Sequence, residues 1–378
     1  MKTTDQPTRP LPPSAYRILL VAALGLACFV TGLAAGPPDG VNATVMPAFQ
    51  DLADKTPMRL PWNAQTVQQH NAWQKKFHAK LIELLGRMPQ RVPLDVKWTE
   101  KKEFPTLIRH KIYVRTEEKY YAPAYYFVPK NAKPKTPAIL CLHGHSSIYP
   151  YIREGTEAEK QKCKDHSLDY AVYLAENGYV TAALVVRGWD ETVADRDTGI
   201  QNPRSCRRVT MDTFLMGMTP MGLRCWDAMR IVDFLQTQPE VDPDRIAVAG
   251  LSGGGTLSLY LPALEPRIKL VMIAGAFSSY RTSIYSIRHC ICNCLPHVML
   301  YGDMTEVVAS YAPRPVLLIN GIKDSIFPIA EARQGYEKLK TVYTLLGKPE
   351  NIDADFFDGP HSWSNNKTLP FLKKHFGQ

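Results

Sequence analysis

Gly250-Leu251-Ser252-Gly253-Gly254 constrains this chain more than any other stretch. It reads G-x-S-x-G. A strand-like run, Arg245-Ile246-Ala247-Val248-Ala249, leads straight into it, and a helix-compatible run from Thr256 to Leu264 follows. A strand that turns into a helix within so few residues needs a corner almost free of side chains. Such a corner lifts the serine hydroxyl clear of the sheet. Five residues with three fixed positions recur by chance; the strand before and the helix after carry the inference.

A serine hydroxyl is a weak nucleophile at neutral pH. It needs a base to take its proton and a carboxylate to orient that base. Where the serine sits on this kind of corner, the chain order is serine, acid, histidine. Pro315-Val316-Leu317-Leu318-Ile319-Asn320 reads as a buried strand running into Gly321-Ile322-Lys323-Asp324. Ile352-Asp353-Ala354-Asp355-Phe356-Phe357 alternates like a strand and leads to Asp358-Gly359-Pro360-His361. Ser252, Asp324 and His361 thus all fall at carboxyl ends of strands, where open α/β sheets place their sites. Simpler readings exist for each. The glycine-rich turn is then only a connection, Asp324 a helix cap, and His361 a loop residue. Asp353, Asp355 and Asp358 are rival carboxylates, two of them within a strand and the third very close to His361 in sequence.

Acyl chemistry also needs donors for a developing oxyanion. The amide of Gly253, just after the serine, is one candidate. The second is expected after an early strand. Thr136-Pro137-Ala138-Ile139-Leu140-Cys141-Leu142 is such a strand, and His143-Gly144-His145-Ser146 follows it. The backbone amide of His145 is the choice, with Ser146 as its neighbour and alternative. His143 reads as structural. A metal site on His143 and His145 lacks a visible third ligand.

These segments resemble the α/β-hydrolase superfamily, and the longer text resembles bacterial hydrolases related to acetyl xylan esterases and dienelactone hydrolases. The resemblance runs over about residues 65–378 and rests on His143-Gly144-His145, Arg187-Gly188-Trp189, Asp242-Pro243-Asp244-Arg245-Ile246, Gly250 to Gly255, Ala312-Pro313-Arg314-Pro315 and Gly359-Pro360-His361. It implies a mainly parallel central sheet with helices on both faces. It also implies serine-dependent hydrolysis without metal or organic cofactor, with Ser252, Asp324 and His361 in the triad positions. Glucuronoyl esterase relatives carry an arginine after the serine where this chain has Gly253, which argues against uronate-ester specificity.

The rest of the chain sets the surroundings. Lys2, Arg9 and Arg17 precede an apolar run from Ile18 to Ala35, the pattern of a signal peptide or an uncleaved membrane anchor. The expected organisation is residues 1–36 as that targeting segment, 37–62 as a linker, 63–100 as an amino-terminal helical extension, and 101–378 as an α/β-hydrolase catalytic domain. In the extension, Trp73, Phe77, Leu81, Leu84 and Leu85 form a helical stripe. The net charge of +9 is dispersed, which excludes a nucleic-acid footprint. Two insertions, from Trp189 to Thr219 and from Phe277 to about Met304, are expected to shape the pocket. Trp189 and Trp363 are candidates to stack on a sugar or aryl ring, with ordinary packing as the alternative. Arg187 reads as a structural pin.

The chain has eight cysteines, and three of them fall within Cys290–Cys294, flanked by His289 and His297. Free thiols are the default. Disulfides to Cys206, Cys225 or Cys163 and a metal site are alternatives, although the one-residue gaps are not the usual zinc spacing. The reading as a whole is an exported serine esterase acting on small-molecule or glycan esters, in the periplasm, outside the cell or anchored to the membrane. A serine peptidase of the same fold, a non-catalytic envelope binding protein and a metal-dependent protein are the competing readings.

Overall fold

The computed structural model describes residues 40–194, 197 and 204–377. The expected targeting segment lies outside the described residues. The strands are β1 (Lys97–Glu103), β2 (Leu107–Glu117), β3 (Tyr120–Pro129), β4 (Thr136–Leu142), β5 (Val180–Leu184), β6 (Val241–Leu251), β7 (Ile268–Ala274), β8 (Val316–Gly321) and β9 (Ile352–Phe357). The helices are α1 (Met46–Lys55), α2 (Val67–Leu85), α3 (Glu157–His166), α4 (Tyr170–Glu176), α5 (Cys206–Leu215), α6 (Pro220–Leu235), α7 (Gly253–Leu264), α8 (Met304–Ala309), α9 (Ile329–Leu345) and α10 (Thr368–Phe376).

All strands join one nine-stranded sheet in the order β1-β2-β3-β5-β4-β6-β7-β8-β9. The first three pair antiparallel, and β3 also meets β5 antiparallel. From β5 across to β9 every pairing is parallel. Crossover helices cover a parallel sheet on both faces, so its central strands are apolar without alternation. All seven residues of β4 and all six of β8 are buried accordingly. Side chains still alternate between faces. Leu140, Val248, Ile273 and Leu318 enter one core with Phe77 and Leu81 of α2. Ile139, Ala249, Met272 and Ile319 enter the other with Tyr170, Trp363 and Phe371.

The amino-terminal stripe behaves as expected. The Thr66 hydroxyl caps α2 by accepting the Gln69 amide, and His70, Trp73, Phe77, Leu81 and Leu85 are its buried residues. Three local expectations need correction. The expected linker contains α1, a helix with no buried residue. The run from Ala158 to Asn177, which reads as one helix in the sequence, is instead α3 and α4, because Ser167 takes a left-handed conformation at φ 50° and ends the first. The edge strand β1, Lys-Trp-Thr-Glu-Lys-Lys-Glu, has every residue exposed and no apolar alternation to announce it. No helix among the described residues is long and apolar enough to cross a membrane.

Candidate active site

Ser252 stands between the last residue of β6 and the first of α7, at φ 59° and ψ −119°. A non-glycine residue in that region carries strain of order 1–3 kcal/mol, held only where the surroundings fix it. Here the Ser252 amide donates to the Ala274 carbonyl at the end of β7 (2.9 Å), and its carbonyl accepts the Thr256 amide inside α7 (2.8 Å). The corner closes so tightly that a Cβ on Gly254 would lie 1.8 Å from the Leu142 carbonyl oxygen, and one on Gly250 would lie 2.2 Å from the Gly254 carbonyl oxygen. Both obstacles are backbone and cannot give way. The glycines that made the motif conspicuous are therefore required by contact between β4, β6 and α7.

Asp324 and His361 meet, as their positions after β8 and β9 predict. His361 Nδ1–H donates to Asp324 Oδ2 at 2.7 Å. Asp324 Oδ1 accepts the amides of Ile326 (2.8 Å) and Phe327 (3.1 Å). The carboxylate is thus held at both oxygens and cannot rotate away from the ring. Phe327 in turn stacks on the imidazole, with centroids 6.0 Å apart and planes 13° from parallel. Phe327 was not singled out from the sequence; an apolar residue three after an acid carries no signature by itself. The opposite ring atom, His361 Nε2, is buried without a hydrogen-bond partner. No hydrogen bond joins it to the Ser252 hydroxyl. The ring nevertheless borders the corner, since a Cβ on Gly275, one residue past Ala274, would lie 2.9 Å from His361 Cε1. None of the rival carboxylates bonds the ring: Asp353 pairs with Lys367 (2.7 Å), Asp358 with Lys323 (2.6 Å), and the buried Asp355 accepts the Asn366 side-chain amide (3.4 Å).

The loop after β4 lies against the serine. A Cβ on Gly144 would come within 3.0 Å of Ser252 Cβ. The Ser146 amide donates to the Gly144 carbonyl (2.8 Å), and the Gly144 amide donates to the Tyr151 hydroxyl (3.0 Å). Of the two amides weighed from the sequence, that of Ser146 is thus engaged within its own loop. Gly253, as the first residue of α7, has an amide with no carbonyl of its own helix to bond. His143 is structural, as expected. Its Nε2 accepts the Val186 amide at 2.8 Å, and burial pushes its pKa down, so the ring stays neutral.

The fold that carries this corner is shared with known proteins. Residues 45–369 match the model of the abhydrolase family. The chain belongs to that family. A Bacillus subtilis (strain 168) protein named as a hydrolase, YtaP, is 25% identical over 272 residues, spanning 71% of this chain and 87% of its own length. Among solved structures, a protein named as an acetyl xylan esterase from Bacteroides fragilis superposes with a TM-score of 0.71 at 18% identity, covering 85% of this chain and 84% of the other. A glucuronoyl esterase from Solibacter usitatus gives 0.61 at 14% identity, covering 85% and 98%. At such identities the superpositions establish a common fold.

In this abhydrolase neither tryptophan singled out from the sequence presents a ring to solvent. Trp363 is 2% exposed. It stacks on Tyr170 at 4.3 Å and donates from Nε1 to Asn365 (2.9 Å). Trp189 is 5% exposed and sets its edge against His143 and His145. Burial of a large aromatic outweighs its use as a stacking platform at both positions, so the stacking roles expected for Trp189 and Trp363 are withdrawn. Arg187 is the expected pin. It pairs with Asp227 (2.7 Å) and Glu117 (2.5 Å) beneath Tyr120.

The cysteine-rich segment does what spacing alone could not reveal. Cys290 and Cys292, with sulfurs 3.2 Å apart, face His145, whose Nε2 is 3.0 Å from the Cys292 sulfur. Cys206 from the other insertion joins them, and all four donor atoms lie within 4.8 Å of one another. All the cysteines among the described residues are free thiols. Contacts from Cys206 and Cys290, together with the nearby Arg224 guanidinium, hold the Cys292 thiol well below its usual range.

Proposed function

We propose that this protein is a serine hydrolase of carboxylic esters, acting on acylated carbohydrate or related small esters after export from the cytoplasm. One observation carries the reading: a histidine clamped at Nδ1 by a doubly held carboxylate, with Nε2 buried and unpaired beside a serine at a strained corner. Nε2 is a base with no other partner. It takes the proton of the Ser252 hydroxyl as the oxygen attacks the ester carbonyl. Asp324 orients the ring and stabilises the imidazolium. The amides of Gly253 and His145 hold the oxyanion, and His361 returns the proton to the leaving alcohol. Water then repeats the sequence on the acyl-enzyme.

The names of the structural neighbours, acetyl xylan and glucuronoyl esterases, support an ester of a sugar as substrate. Gly253 in place of an arginine favours the acetyl over the uronate class. The test is turnover of a panel of acetylated sugars, longer acyl esters and aminoacyl amides by the intact chain and by Ser252→Ala. Acetyl-ester hydrolysis that disappears in the variant is the expected result. Faster cleavage of amides than of esters turns the reading toward a peptidase. Normal hydrolysis by the variant ends the serine mechanism.

A further inference from the structure

The proposed chemistry uses the backbone of His145 and leaves its ring unemployed. It also leaves unemployed three of the thiols. These groups come from three separate places: His145 after β4, Cys206 at the start of α5, and Cys290 and Cys292 in the segment between β7 and α8. We propose that His145 Nε2 and the thiolates of Cys206, Cys290 and Cys292 form a four-coordinate site for a zinc-class divalent cation.

The donor set is the first argument. Thiolates with an imidazole are the ligands of zinc-class ions, and four protein ligands make a closed, structural site. Around a tetrahedral ion with metal–sulfur bonds of about 2.3 Å, neighbouring sulfurs lie about 3.8 Å apart. The Cys290 and Cys292 sulfurs are 3.2 Å apart, His145 Nε2 is 3.0 Å from the Cys292 sulfur, and no two of the four donor atoms are more than 4.8 Å apart, the spread expected of ligands gathered for one ion.

Charge is the second and independent argument. Arg224, on α6, is 3% exposed. Its Nε and Nη2 donate to the Arg187 carbonyl at 3.1 and 3.0 Å, and Nη2 also reaches the Cys206 sulfur at 3.6 Å. Among the described residues no carboxylate pairs with it, whereas its neighbour in the fold, Arg187, has two. A buried guanidinium without a counter-charge is costly. Three thiolates around a divalent cation carry one net negative charge, which Arg224 balances. Neutral thiols leave it unbalanced.

The third argument is mechanical. Among the described residues the apolar cluster at this junction is Val186, Trp189, Cys206 and Cys292, with Cys290 against it. That is little surface to fix two long insertions, and a metal supplies what burial does not. The ring of His145 shows the consequence. Its Nε2 faces the sulfurs, while Cε1 and Nδ1 lie over Gly253, each 2.8 Å from where a Cβ would be. Coordination at Nε2 places the proton on Nδ1 and locks the loop whose amide faces the site. That last link rests on the proposed function; the site itself does not.

The test uses the full chain produced with zinc and dialysed exhaustively. Elemental analysis is expected to find about one zinc per chain in the wild type, in Ser252→Ala and in Cys294→Ser. The metal is expected to be lost in Cys206→Ser and in Cys292→Ser. Cobalt-exchanged wild type should show thiolate-to-cobalt charge-transfer absorption that these two variants lack. If the variants fail to fold, thiol labelling of the wild type read by peptide mass decides. Cys206, Cys290 and Cys292 should be protected until a chelator is added, with Cys294 unaffected by it. Absence of metal from the wild type, its retention by both variants, labelling indifferent to chelator, or a disulfide between any two of the three thiols overturns the proposal. Metal content is read in Ser252→Ala as well, so its failure is distinct from failure of the hydrolase reading.

Discussion

The corner at Ser252 and the two insertions that flank it are held by different means. At the corner, β4, β6, β7 and α7 approach until glycine is the residue that fits, and the constraints are backbone on backbone. In the insertions, α5 exposes Met211, Phe214 and Leu215, and much of the segment between β7 and α8 is irregular. Their junction is a few sulfur atoms, an imidazole and a buried guanidinium. Precision at the Ser252 hydroxyl is thus built into the backbone-packed part of the fold, and the insertions are joined by side chains that can change. That division fits a fold that hosts many substrates on one chemistry.

Substitutions can break or sharpen this contrast. The largest effect belongs to Ser252→Ala, expected to lower kcat/KM on an acetyl ester by about 10⁶ with no loss of thermal stability. Steady-state rates beside a melting curve check both halves. Asp324→Asn leaves the ring in place but removes the acceptor that fixes its tautomer, and should cost about 10⁴ in kcat. Gly254→Ala forces a methyl onto the Leu142 carbonyl and is expected to destabilise by roughly 1–3 kcal/mol, read by chemical denaturation, with activity falling too. At the other end of the scale, Leu215→Ser, at a residue 83% exposed on α5, should shift stability by no more than about 0.5 kcal/mol. A large penalty at Leu215 joined to a small one at Gly254 would reverse the comparison.

The same contrast explains what could be read from the amino-acid sequence. The corner, β4, β8 and β9 are legible because backbone geometry and burial leave few residue types to choose from. Asp324 and His361 followed from their places after strands. The convergence of Cys206 with Cys290, Cys292 and His145 was not legible, since it depends on how two insertions fold over the sheet edge. Trp189 and Trp363 misled because a tryptophan near a site reads the same whether its ring faces solvent or core. The strand β1 escaped notice because an exposed charged edge lacks the alternation that marks a half-buried one. The helix α9 was passed over as well, its buried face of Ala332, Gly335, Leu339, Val342 and Tyr343 being partly small residues.

That charged first strand sets how crowded this protein can become. Its outer rim is an open row of amides and carbonyls, the natural docking line for another copy. A second chain aligning there would have to strip water from Lys97, Lys101, Lys102 and their glutamate neighbours, all exposed on β1, and would meet like charge at each of them in parallel register. This edge of the sheet therefore resists extension by a second copy, through charge placed on a strand that buries nothing.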